Sequence, residues 1–298
     1  MELLTNILNY MFIHTNNKEN NKKFQNIEEF NSYIKRLIEF MNSHPDYDFF
    51  SNLTDEDKSL IKNIIFNYGY PRKLRKYALR LYDYTDIENL LFCALNLCSI
   101  ELERSFQYKQ INGSFIVSDG CYYSKLNKMR YHTKTAIPHE FMHMSSRSII
   151  TKDDNLRVGF GRASKERQKF VGINEGYTEM ISRRIFFDED YDGHSYTTNV
   201  FAMRLFELLY DNRQEMEKDY LRADYESLKN HFLKFGTEEE FLYLASLLEV
   251  YEWETKPTEK KIVLKFIKEI IKRTADQKKI DEAEEISEEF EKVIYKRH

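Results

Sequence analysis

The chain has little of what usually punctuates or staples a fold. Four prolines and nine glycines in 298 residues argue against a β-rich architecture with many turns and for long helices. Three cysteines, Cys93, Cys98 and Cys121, contain no Cys-x-x-Cys pair, so neither a disulfide framework nor a thiolate metal site is expected. Each reads most simply as a small apolar residue rather than a nucleophile. Positive charge is not in surplus: the net charge is -4 and the signs are interspersed. That pattern lacks the basic footprint of a nucleic-acid-binding protein. The apolar run Tyr10-Met11-Phe12-Ile13 is too short to span a bilayer, and Met1-Glu2-Leu3-Leu4 lacks the basic start of a signal peptide. The expectation is a cytoplasmic protein with no membrane or nucleic-acid partner, or one exported by a route that leaves no mark. No fixed-period repeat and no phosphate-binding glycine loop occurs.

Apolar residues are plentiful. At 42% of the chain, with 21 tyrosines and 22 phenylalanines, they can fill a sizeable core in one large or two modest domains. Among the polar residues, one stretch describes a chemical device: His139-Glu140-Phe141-Met142-His143. Successive residues of a helix turn by about 100°, so histidines four apart lie ~40° from one another on one face. Both imidazoles can then reach one ion. Zinc accepts neutral imidazole nitrogen, and a catalytic zinc typically has three protein ligands with a water in the remaining position. Glu140, beside the first histidine, can take a proton from that water.

A third ligand is needed, and Gly172-Ile173-Asn174-Glu175-Gly176-Tyr177-Thr178-Glu179 reads as a second helix with carboxylates at i and i+4 on a shared face. Together the two motifs resemble the gluzincins, zinc peptidases in which a helical H-E-x-x-H is completed by a glutamate from a downstream helix. The resemblance covers roughly residues 112 to 200. It implies His139, His143 and Glu175 as zinc ligands and Glu140 as general base. It also implies Glu179 as an acid that accepts a hydrogen bond from a ligand histidine, fixing the ring's tautomer. A metzincin would need Gly three residues and His six residues beyond His143, where this chain has Ser146 and Ile149. The gap between His143 and Glu175 is longer than in the familiar gluzincins, so the intervening loop is an insertion. Because Pro138 is comfortable only in a first helical turn, the metal helix is expected to start near Thr135, capped by Thr135 or Thr133.

Around these motifs the pattern is mainly helical. Residues 1–95 read as an N-terminal helical subdomain, with amphipathic spacing from Ile27 to Met41, from Thr54 to Ile65 and from Pro71 to Tyr82. Residues 96–212 read as the catalytic core. Within it, Glu101 to Gln110 and Gly113 to Ser118, around Asn112-Gly113, predict a hairpin. The resemblance suggests Phe115 to Ser118 as the edge strand beside the metal helix. Residues 150–171 read as a lid, a cleft wall or a plain surface loop. The acidic run from Phe187 to Asp192 is a solvated turn rather than a calcium loop. An oxyanion donor is expected downstream, with Tyr177, His194 and Tyr196 as candidates, Tyr196 and His194 foremost. Residues 213–298 are helical, with stripes at Ile262, Val263, Phe266, Ile267, Ile270, Ile271 and at Ile286, Phe290, Ile294 that read as core packing.

The sequence therefore predicts an α+β, predominantly α protein: a zincin-like catalytic core with a small antiparallel or mixed sheet and flanking helical subdomains. The expected activity is zinc-dependent hydrolysis of peptide or protein substrates, endopeptidase rather than aminopeptidase. The alternative is a zinc-binding regulatory or interaction module of the same fold without turnover.

Overall fold

Few breaks leave long helical runs, and helices dominate what the computed structural model shows. The structure describes residues 72–84, 93, 96–97, 100–105, 107–111, 114–148, 156–163, 168–187, 196–251, 257–274 and 276–296. The helices expected between 27 and 65, the acidic run from Asp188 to Asp192, and His194 lie outside the described residues. The chain divides into two compact units, 1–156 and 157–298.

In the first unit, helix α1 (Arg72–Tyr84) is followed by strands β1 (Glu101–Arg104), β2 (Gln107–Ile111), β3 (Ser114–Ser118), β4 (Gly120–Tyr123) and β5 (Lys128–Tyr131), then helix α2 (Ile137–Ser145). Strands β2 and β3 pair antiparallel with Ile111 opposite Ser114, the hairpin predicted around Asn112-Gly113. A separate mixed sheet has the order β1-β5-β4, with β1 parallel and β4 antiparallel to β5. Alternation along β5 explains its central place. Met129 and Tyr131 are buried, whereas Lys128 reaches Glu101 and Glu103 at 2.9 and 2.6 Å and Arg130 reaches Glu103 at 3.0 Å. Leu74, Tyr77, Ala78 and Leu81 form the buried stripe of α1, and Tyr77 meets Phe141 of α2 with ring centroids 5.8 Å apart. The strands that pack on α2 are β4 and β5, so among the described residues β4, rather than Phe115 to Ser118, is the sheet-edge strand against α2.

In the second unit a small sheet, β6 (Leu156–Val158, its first residue the last of the first unit), β7 (Gly161–Ala163) and β8 (Gln168–Lys169), precedes helices α3 (Val171–Phe187), α4 (Thr197–Glu207), α5 (Arg213–Leu221), α6 (Tyr225–Leu233), α7 (Glu238–Tyr251), α8 (Pro257–Thr274) and α9 (Gln277–Lys296). Side-chain caps start several of them. The Asn212 and Asp224 side chains accept from Glu215 N and Ser227 N, both at 3.0 Å, and Thr237 and Glu240 form a reciprocal capping box. Helix α4 packs on α3, α8 and α9, and α8 also packs on α7 and α9. The two apolar stripes meet in this core: Val263, Ile267, Ile270, Ile271, Ile286, Phe290 and Ile294 are buried. Ile262 departs from the expected stripe and is 44% exposed, its place taken by buried Leu264. Among the described residues no helix is long and apolar enough to cross a membrane.

One half-buried cation ties three helices of this unit together. Arg184 donates to both oxygens of Glu207 (2.8 and 3.0 Å) and to Glu217 Oε1 (3.1 Å). Burial opposes the Arg184 charge, but the Glu207 carboxylate more than offsets it, so the guanidinium is held above its ordinary range. Removing the guanidinium takes a cation from two carboxylates that are 13% and 8% exposed, which carries part of the penalty of breaking a fully buried pair. Arg184→Ala is therefore expected to cost ~2 kcal/mol in urea unfolding, between the worth of an exposed pair and that of a fully buried one; a change below ~0.5 kcal/mol would show the network to be inconsequential.

Candidate metal centre

Helix α2 grows from a tight 3-10 turn, Lys134–Ala136, and places Pro138 in its first turn, where its missing N–H is not needed. Thr133 has the extended backbone of a cap (φ -102°, ψ 153°) but makes no side-chain cap bond. Its hydroxyl instead meets that of Thr135 at 2.9 Å. The expected side-chain cap is thus replaced by the 3-10 turn, whose own hydrogen bonding begins the winding.

The helix presents the two histidines as their spacing requires. His139 Nε2 and His143 Nε2 are 3.1 Å apart, with the rings nearly perpendicular at 77°. Two nitrogens bound at 2.0–2.1 Å to one tetrahedral ion are separated by about 3.3 Å, so this spacing fits a shared cation. His143 and Glu140 are each 7% exposed and His139 is half-buried. Gly120 of β4 backs Glu140: a Cβ there would stand 2.9 Å from Glu140 Cγ and 2.9 Å from its Oε1. A residue larger than glycine at 120 would thus displace the carboxylate.

The C-terminal end of α2 is held by a polar network that the sequence did not announce. Asn96 Nδ2 donates to Met144 O and Arg147 O, both at 3.1 Å, and Arg147 Nη1 donates to Asn96 Oδ1 at 2.9 Å. Arg147 Nε also donates to Ser124 O at 2.8 Å. Asn127 Nδ2 donates to Asn96 O, and Tyr122 donates to Asn127 Oδ1, both at 2.7 Å. These bonds satisfy carbonyls that a helix end leaves without partners, and they put a cation where the helix dipole favours one. No local pattern signals a pair like Asn96 and Arg147, 51 residues apart.

On α3, Glu175 is half-buried, and Asn174 and Glu179 are buried. His139, His143 and Glu175 each offer a ligand atom, and these atoms lie within 4.8 Å of one another. Two imidazole nitrogens and a carboxylate oxygen form a donor set suited to a divalent transition metal. Glu179 Oε1 accepts a hydrogen bond from Arg183 Nε at 3.0 Å, an i,i+4 pair along the same helix. Of the tyrosines proposed as oxyanion donors, Tyr177 is fully buried, packed 5.2 Å from Phe160 and 5.1 Å from Tyr220, which makes it a core residue. Tyr196 is half-buried and precedes α4 with a left-handed backbone (φ 50°, ψ 35°). Such a conformation is uncommon outside glycine.

No family model, no curated protein and no solved structure matches this chain.

Three donors from a folded arrangement that the unfolded chain lacks should couple metal binding to stability. Zinc at 100-fold excess over its Kd is expected to stabilise the protein by ~2.7 kcal/mol, read as a rise in Tm that a chelator reverses. His143→Ala should abolish that rise. An unchanged Tm in the parent would remove the metal assignment.

Proposed function

We propose that the protein is a zinc-dependent peptidase of the gluzincin type, with a zincin-like core and His139, His143 and Glu175 as its metal ligands. The supporting observation is the approach of the three ligand atoms to within 4.8 Å. The 3.1 Å spacing of the two imidazole nitrogens agrees with the tetrahedral geometry zinc prefers. A zinc ion bound there would polarise a scissile carbonyl and bring the pKa of a water toward neutrality.

The chain's own residues supply the rest. Glu140 accepts the proton of the attacking water and returns a proton to the leaving amine, a general base and acid in turn. Its burial and the confinement by Gly120 limit the positions its carboxylate can take, and defined geometry is what proton transfer within one encounter requires. Glu179, kept by Arg183 in a charged hydrogen bond, is the acid assigned to orient a ligand histidine. Tyr196 is the described candidate for stabilising the oxyanion. The substrate class is peptides or proteins, cut internally.

The test separates binding from turnover. Zinc-loaded protein is incubated with a mixed peptide library and new termini are read by mass spectrometry, with Glu140→Gln run in parallel at equal zinc content. Cleavage by the parent and a loss of at least ~10²-fold in the variant, the usual worth of a general base, are expected. Equal cleavage by both chains would remove Glu140 from this role. No cleavage by the parent would leave a metal-binding protein without turnover.

A further inference from the structure

The reading of Glu175 as a metal ligand raises the question of what aims it, and the inference here rests on that reading. We propose that Asn174 and Asn199 are positioning residues that fix the rotation of the first turns of α3 and thereby the direction in which Glu175 reaches.

The chain enters α3 through Phe170, whose backbone is left-handed at φ 61°, a conformation that persists in a bulky residue only when its surroundings impose it. Here they do. The Phe170 ring stacks on Tyr225 at 4.2 Å and 22°, and its N–H donates to Glu249 Oε1 at 3.1 Å. Four residues on, Asn174 Oδ1 accepts the N–H of Phe160 at 3.0 Å. Phe160 occupies the turn between β6 and β7 and is fully buried, its ring 5.2 Å from Tyr177 and 5.5 Å from Tyr220. Glycine precedes it for a reason: residue 159 has φ 53°, and a Cβ would lie 2.4 Å from Asn174 Oδ1 and 2.3 Å from the Tyr220 ring. The turn can close over Asn174 only without that atom.

A second grip acts from the other side. Asn199 Nδ2 donates to Gly172 O at 2.7 Å and to Leu248 O at 3.0 Å. A Cβ on Gly176 would meet Asn199 at 2.6 Å, and one on Gly172 would meet Leu248 O at 2.5 Å, so the two glycines let α4 and α7 approach the helix backbone. Asn199 is completely buried, and among the described residues its Oδ1 has no hydrogen-bond donor. A leucine of similar size would avoid that cost, but it could not donate the two bonds that tie Gly172 to Leu248.

At about 100° per residue, Asn174 lies ~160° round the axis from both Gly172 and Gly176, so the grips act on nearly opposite faces. Glu175 lies between them, ~100° from Asn174. The leverage is large. A roll of ~20° would carry a carboxylate ~6 Å from the axis through ~2 Å, a full metal–oxygen bond length.

The test is a set of thermodynamic cycles on the full chain, with zinc Kd measured by competition against a chromogenic chelator. N174A and N199A are each expected to weaken zinc binding by about 10- to 100-fold, the usual effect of losing a residue behind a ligand. In an E175Q background neither should weaken it further, because both act through that carboxylate. Serine variants at the same positions replace any alanine chain that fails to melt cooperatively. Parent-like affinity in the single variants would overturn the proposal. So would losses that add to that of E175Q, because these would mark a role in the fold at large. E175Q binding zinc like the parent is a separate outcome: it would remove Glu175 from the metal site and this inference with it.

Discussion

Two imidazole nitrogens held 3.1 Å apart on one helical turn set the tolerance that the elements around α2 must keep. Both nitrogens can serve as ligands only if both rings are neutral and a cation lies within reach of the two lone pairs. A frayed or shifted turn would lose that geometry, because the ligand spacing must hold to within a few tenths of an ångström. The motif is therefore useful only on a helix whose beginning, end and flanks are all fixed. The first unit is built accordingly: a 3-10 turn and Pro138 set the start of α2, β4 and β5 pack along it, and Asn96 with Arg147 holds its end.

The same economy appears in α3, where glycine and asparagine do the work usually given to large apolar residues. Gly172 and Gly176 bring neighbouring backbones close, and Asn174 and Asn199 convert that closeness into directed hydrogen bonds. Buried amides are costly unless paired, and a dispersion contact of equal area would hold the helix less directionally. A helix held by hydrogen bonds resists rolling as well as separation. The apolar layer formed by Tyr177, Tyr220 and Phe160 shields the Asn174–Phe160 bond from water, which strengthens it. Thr178 joins the layer by donating to Asn174 O and meeting the Tyr220 hydroxyl, both at 2.7 Å.

Much of this was legible in residue order. The scarcity of glycine and proline, the 3-and-4 spacing of apolar residues from Val263 to Ile271, and the Asn112-Gly113 hairpin signal all concern neighbours within a turn or two, where the period of the backbone decides what faces what. The ligand spacing of His139 and His143 is of the same kind. Longer-range features were not legible. Nothing near Asn96 marks it as the partner of Arg147, and nothing near Tyr177 distinguishes a core ring from a catalytic one. The strand expected against α2 was Phe115 to Ser118; the one found there is β4, because sheet order depends on which strand can pair with β5 rather than on hairpin propensity.

Residue order alone carried the mainly helical class, through scarce glycine and proline and apolar spacing, and the sharing of a face by His139 and His143, through the fixed pitch of a helix. Tertiary structure alone decided that Glu175 comes within 4.8 Å of them, that Gly120 stands against Glu140, and that Asn174 meets a turn fourteen residues earlier. These contacts depend on how separate elements pack. Packing is set by the shapes of whole surfaces, and no short window of residues contains that information.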